Sequence, residues 1–146
     1  MEVEKRFIRN YLSKQKFSSG KITSCFILTV CILLSLFYWD NSSSISSLLS
    51  ASHNQVFIDG QYWRLFTTSF VHGDIEHLMS NSLMLFILTY FVTSFYGSFI
   101  SVGLGFIMGM IINYFVISGY QTDTTLVGAS GVIYYLWGFW LVLYVC

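Results

Sequence analysis

Between Glu76 and Asp123 the chain runs for 46 residues without an aspartate, glutamate, lysine or arginine. Crossing the hydrocarbon of a bilayer takes about 20 apolar residues in a helix, and a backbone inside lipid must satisfy its own N–H and C=O groups. The tract therefore has the length of two membrane helices. It predicts a helical hairpin with its break in TSFYGS, Thr93 to Ser98, where Gly97 and small polar neighbours suit a tight turn.

Applied to the whole chain, the same criterion gives spans at about 22–39, 76–94, 98–118 and 129–146, with a long loop over 40–75 and a basic segment over 1–21. Composition agrees, with 55% hydrophobic residues, 10% charged and no proline. The expected fold class is an all-α membrane protein, a polytopic helical bundle. Six of the seven basic residues, Lys5, Arg6, Arg9, Lys14, Lys16 and Lys21, precede the first span, and only Arg64 lies elsewhere. The positive-inside rule then puts the N-terminus in the cytoplasm. By counting crossings, the loop over 40–75 is external, the Thr93–Ser98 turn internal, and Ser130 just inside the outer face. A multi-pass protein of the cell membrane is expected, and so compact an architecture points to a bacterium.

Other classes fit less well. The first span has the basic start of a signal peptide, and LLSASH offers small residues for cleavage, but more membrane sequence follows instead of a soluble domain. Acids and bases are equal in number and the basic segment adjoins a span, which speaks against nucleic acid as a partner. Cys25 and Cys31 are six residues apart, on different helix faces, and Cys146 is terminal, so neither a disulfide framework nor a zinc site is suggested. No metal and no cofactor is expected.

The long loop carries Ile45, Leu48 and Leu49 at helical spacing, which predicts a short amphipathic helix in the interface. Beyond the Asp59–Gly60 turn signal, Tyr62, Trp63, Phe66 and Phe70 offer interfacial anchors. In the third span Ser101, Gly105, Gly109 and Asn113 recur every four residues and predict close packing of one helix face within the bundle. Gly131 and Gly138, seven apart on the last span, are read the same way.

Polar side chains inside spans are costly and have either a partner or a task. His77 and Asn81 stand at i and i+4 at the entrance to the second span, with His72 just before them, and the crossing count puts Ser130 on the same membrane side. One reading makes these residues interhelical hydrogen-bonding glue, at about 0.6–2 kcal/mol per bond. The other makes them an acyl-transfer site. There the Ser130 hydroxyl attacks an amide carbonyl, and Asn81, His77 and the backbone N–H of Ser130 supply donors to the developing oxyanion. Gly128 and Gly131 would let substrate backbone and neighbouring helices approach the serine.

GQYWRLFTTSFVHGDIEHLMSNSLMLF, followed after one hairpin by GASG, resembles the rhomboid family of intramembrane serine proteases from about Gly60 onward. The combination that carries the likeness is the Trp-Arg pair, the H-x4-H-x3-N spacing and the G-x-S-G step, in this order. The resemblance implies that Ser130 is the nucleophile and that His77 and Asn81 stabilise the oxyanion. It implies that His72 is structural and that Trp63 and Arg64 steady the long loop. Substrates would be transmembrane segments of other membrane proteins, within the bilayer. Two departures stand out. Thr93 lies about where family members often carry a glutamate. The family's general base, a histidine on a sixth span, has no counterpart, because no histidine follows His77 and four of six spans are expected here. The chain is thus expected to be the N-terminal part of such a protease and inactive alone, the alternative being an inactive rhomboid-like protein that binds membrane helices.

Overall fold

The computed structural model of the protein describes residues 17–40, 46–120 and 124–145. It is helical apart from one small ladder. Helix α1 (Phe17–Trp39) leads into the long loop, which holds a 3₁₀ turn (Ser46–Leu48), strand β1 (Ala51–Ser52), a π turn (Asn54–Ile58), the single-turn α2 (Arg64–Thr67) and a second 3₁₀ turn (Thr68–Phe70). Helix α3 (Ile75–Tyr96) follows, then a π turn (Phe99–Leu104) that opens α4 (Gly105–Ser118), strand β2 (Thr125–Leu126) and helix α5 (Ser130–Val145).

Three segments, Phe17–Trp39, Ile75–Tyr96 and Phe99–Ser118, are long and apolar enough to cross a membrane. Helix α5 is apolar but described over 16 residues, about 24 Å of rise, short of the roughly 30 Å hydrocarbon thickness. The expected hairpin is present and tight. Gly97, at φ 89°, ends α3 with its N–H on the Thr93 carbonyl, and only Ser98 separates it from the next helical segment. The amphipathic helix expected around Ile45 is reduced, over its described part, to the turn Ser46–Leu48, with Leu48 exposed; Ile45 lies outside the described residues.

Lipid tails are as apolar as leucine, so helices in a bilayer associate through close van der Waals packing instead of hydrophobic expulsion from water. Helix α1 turns Gly20, Ser24, Ile27, Cys31 and Ser35 inward against α3. A Cβ added at Gly20 would lie 2.7 Å from the Tyr90 carbonyl and collide with Ser94 Oγ. The Ser24 hydroxyl donates to the Gly20 carbonyl, which leaves this small face without an orphaned donor. Ser101, Gly105, Gly109 and Asn113 are all buried, as their spacing predicts. A Cβ on Gly109 would meet Val132 Cγ2 at 2.8 Å, so α5 fills this groove from within the same chain. Gly131 packs likewise against α4, whereas Gly138 is exposed with nothing near it, contrary to the expectation that both pack. Leu85, Leu88, Val92, Phe106, Val132 and Leu136 complete the core between α3, α4 and α5.

The loop is anchored from inside. Arg64 is 4% exposed, with Nη1 donating to the carbonyls of Ser47 and Ser50, each at 2.7 Å, and Nε to Gln61. One cation thereby gathers three stretches of loop backbone and side chain. Ala51 and Ser52 pair antiparallel with Leu126 and Thr125, tying the loop to the approach to α5.

Candidate functional site

The second half of the loop passes directly beneath the start of α5. Thr68, fully buried, accepts the Gly128 N–H on its carbonyl at 2.9 Å and donates its hydroxyl to the Leu126 carbonyl. The segment before Ser130 is thus held by a reciprocal pair of bonds from a single loop residue. Asn113 of α4 adds a second tie, its amide donating to the Leu65 carbonyl at 3.0 Å and to Ser69 Oγ at 3.2 Å. Its Oδ1 faces Gly131, where a Cβ would approach it to 2.7 Å.

Helix α3 starts with an Asp74 N-cap, whose Oδ1 accepts the His77 N–H at 2.7 Å. That cap fixes the first turn and so the direction of His77 and, one turn on, of Asn81. Both converge on Gly128: a Cβ there would lie 2.7 Å from Cε1 and Nε2 of His77 and 3.4 Å from Nδ2 of Asn81. Gly128 also has φ 116°, a backbone conformation suited to glycine. Two independent constraints therefore require glycine at this position. The imidazole and the amide crowd against backbone two residues before Ser130, which opens α5 and is half-buried.

His72 is 1% exposed and bonded at both ring nitrogens. The Ala129 N–H donates to Nε2 at 3.4 Å, which makes that nitrogen the acceptor and assigns the proton to Nδ1, whose partner is Ser35 Oγ at 3.1 Å. Ser35 in turn reaches the Phe70 carbonyl at 3.5 Å, and Trp39 Nε1 donates to the His72 carbonyl at 2.8 Å. A relay from Ala129 through His72 and Ser35 thus joins α5, the loop and α1. Burial pushes the His72 pKa down to about 4; His77, whose ring stands 5.1 Å away, pushes the same way, and Asp74 opposes. The ring is neutral over the physiological range, as its acceptor role requires.

The structure therefore gathers His72, His77, Asn81 and Gly128 immediately ahead of Ser130, and sets Gly131 behind it against α4. Trp63 and Arg64 part company: Arg64 is buried, while Trp63 is 53% exposed beside Tyr62. Ser35, Trp39, Thr68, Asp74 and Asn113 were not singled out as site residues from sequence. Only Asp74, an N-cap residue ahead of an apolar run with Glu76 in the first turn, carried a local signal. Thr93 shares a buried hydrogen bond with Ser101 across the hairpin. Among the described residues no three His, Cys, Asp or Glu side chains gather as metal ligands.

Chemically, the first-turn N–H groups of α5 have no intrahelical acceptor and sit at the positive end of the helix dipole. The Asn81 amide and the His77 ring stand beside Gly128, two residues ahead of Ser130. Comparison with known families finds the Rhomboid domain over residues 59–145, more than half of the chain. No curated protein and no solved structure matches.

Proposed function

The chain belongs to the rhomboid family, a family of intramembrane proteases, and we propose on that basis that it carries the nucleophile and the oxyanion donors of a serine endopeptidase that cuts transmembrane segments of membrane proteins. The observation that supports this reading best is the packing of His77 and Asn81 on Gly128, two residues ahead of Ser130. In this reading Ser130 Oγ attacks the scissile carbonyl, and the Ser130 N–H, the Asn81 amide and the His77 ring receive the oxyanion. Trp63 and Arg64 steady the long loop, and Gly128 and Gly131 let substrate backbone and neighbouring helices come close to the serine. In this reading the N-terminus lies on the cytoplasmic side, which the basic residues of the sequence before Ile22 favour.

None of the three histidines suits the general base. His72 has both nitrogens engaged, His77 serves the oxyanion, and His53 lies in the loop against Phe57. In this reading no histidine of the 146 residues fills that role, and Ser130 is expected to be unreactive in this chain by itself. Fluorophosphonate labelling in membranes tests this. The chain alone should stay unlabelled, since loss of the base in a serine protease costs on the order of 10⁶ in kcat. Fusion to base-bearing rhomboid helices should permit labelling that Ser130→Ala abolishes and Asn81→Ala lowers about 10²- to 10³-fold. Labelling of the chain alone, or of the Ser130→Ala variant, would refute the assignment.

A second reading, an inactive member that binds membrane helices, draws on the fact that Ser130 Oγ has no side-chain partner among the described residues. It predicts no labelling in the fusion, and helix crosslinking unchanged by Ser130→Ala.

A further inference from the structure

Two adjoining cavities form one furrow where α1 faces the π turn and α4. The first, of about 490 Å³, opens between Ile22 and Thr23 of α1 and the hairpin residues Ser98 and Phe99. The second, of about 470 Å³, runs on past Val30 and Ile107 to Met110, and the two share Phe26, Ile27, Val102 and Gly103. Each is as large as an ordinary small-molecule site, about 300–1,000 Å³. Both walls belong to segments of membrane-spanning length, and the rim residues Ile22, Phe26 and Ile107 are exposed. In a bilayer the open side of the furrow faces lipid.

The furrow has a floor and a closed end. Its floor is Gly103, carried on the widened turn Phe99–Leu104; a Cβ there would already press on the Phe99 ring at 3.2 Å. Its closed end is an aromatic plug in which Phe70 of the loop stacks on Phe106 at 4.6 Å and Phe66 leans on Phe106 at 5.6 Å. From Phe99 to Met110 a helix rises about 16 Å, roughly half of the 30 Å hydrocarbon. The furrow thus spans one leaflet, the one at the N-terminal end of α1. A partner helix, about 10–12 Å wide and running the full membrane depth, does not match a slot plugged at mid-depth. A single acyl chain does.

Charge selects the headgroup. Lys21, exposed, directly precedes Ile22 at the mouth, and no acid stands between it and Asp40. Thr23 and Ser98 add hydroxyls at the same mouth. We infer that the furrow is a phospholipid site: one acyl chain of an anionic phospholipid lies over Gly103, with its headgroup at the mouth beside Lys21, Thr23 and Ser98.

The test uses phosphatidylglycerol with a photoreactive diazirine at mid-chain, incorporated into phosphatidylcholine vesicles holding the full chain. Adducts should concentrate on Phe26, Val30, Val102 and Ile107. Unlabelled phosphatidylglycerol should compete better than phosphatidylcholine by about five-fold for each Lys or Arg engaged. Gly103→Leu and Ile107→Trp, which fill the furrow from floor and rim, should lose these adducts while eluting and melting like the parent. Adducts spread evenly over outward residues of α3 and α5 such as Met79 and Tyr134, or equal competition by phosphatidylcholine, would overturn the site. If Gly103→Leu does not fold, the adduct map of the parent chain together with Ile107→Trp decides the question.

Discussion

The backbone N–H of Ala129 donates to Nε2 of His72, 57 positions earlier in the chain, at 3.4 Å. A neutral, buried histidine thereby anchors the residue next to Ser130. His72→Ala should leave the Ala129 N–H without its acceptor, at about 1–3 kcal/mol for an orphaned buried group, and removes the ring N–H that Ser35 Oγ accepts. We expect a loss of about 2–4 kcal/mol for His72→Ala and about 1 kcal/mol for Ser35→Ala, read by unfolding in mixed micelles. Equal effects of the two would mean that the Ala129 bond contributes nothing.

The same histidine gives stability a pH dependence. Its pKa falls from 6.5 to about 4 on folding, so the unfolded chain binds a proton more readily than the native one. The stabilisation is complete above about pH 6.5 and is lost progressively as pH falls toward 4. Melting temperature should decline across that window, and His72→Gln, which does not titrate, should flatten the decline. A His72→Gln profile as steep as the parent's would assign the effect to other groups.

Four glycines with different surroundings should respond differently to alanine. Gly128→Ala combines φ 116° with a collision on the His77 ring and should cost more than the roughly 1–3 kcal/mol of backbone strain alone. Gly60→Ala has the strain, at φ 69°, but open space, and should stay near 1–2 kcal/mol. Gly109→Ala presses on Val132 at 2.8 Å and should loosen α4 from α5. Gly138→Ala meets nothing and should stabilise α5 by up to about 1 kcal/mol through helix propensity. Thermal melts of the four variants give the ranking, and a destabilised Gly138→Ala would contradict it.

Arg64→Lys should fail to rescue the loop. A lysine lacks the Nε–H that reaches Gln61 and is a strongly hydrated point charge, poorly suited to a site that is 4% exposed. Hydrogen bonds from charged groups contribute about 1.5–3 kcal/mol each, so both Arg64→Ala and Arg64→Lys should speed proteolysis between Ser46 and Trp63. Arg64→Lys digesting at the parent rate would show that charge alone suffices.

What could be read from the sequence was whatever depends on local pattern. The spans expected at 22–39, 76–94 and 98–118 compare with helical segments at Phe17–Trp39, Ile75–Tyr96 and Phe99–Ser118, because uncharged length is a property of a contiguous stretch. The facing of His77 and Asn81 followed from their i, i+4 spacing. What escaped the sequence was long-range. Nothing near Ser35 reveals that its partner is His72, and nothing near Asn113 points to the Leu65 carbonyl 48 positions away. The resemblance implied that Arg64 steadies the long loop, but not how, because its partners are backbone carbonyls, which every sequence offers everywhere. The small face of α1 went unremarked because Gly20, Ser24, Cys31 and Ser35 differ in type and share only their size.

The two-residue ladder between β1 and β2 also sets a timetable for synthesis. Ala51 leaves the ribosome 75 residues before its partner Leu126, and at about 5–20 residues per second that is a wait of roughly 4–15 s. Through that interval the loop has its internal Arg64 brace but neither the ladder nor the bonds from Thr68 to Leu126 and Gly128. The nascent loop must therefore hold its shape on Arg64 and its ties to α1 and α4 until the helix that Ser130 opens arrives to lock it.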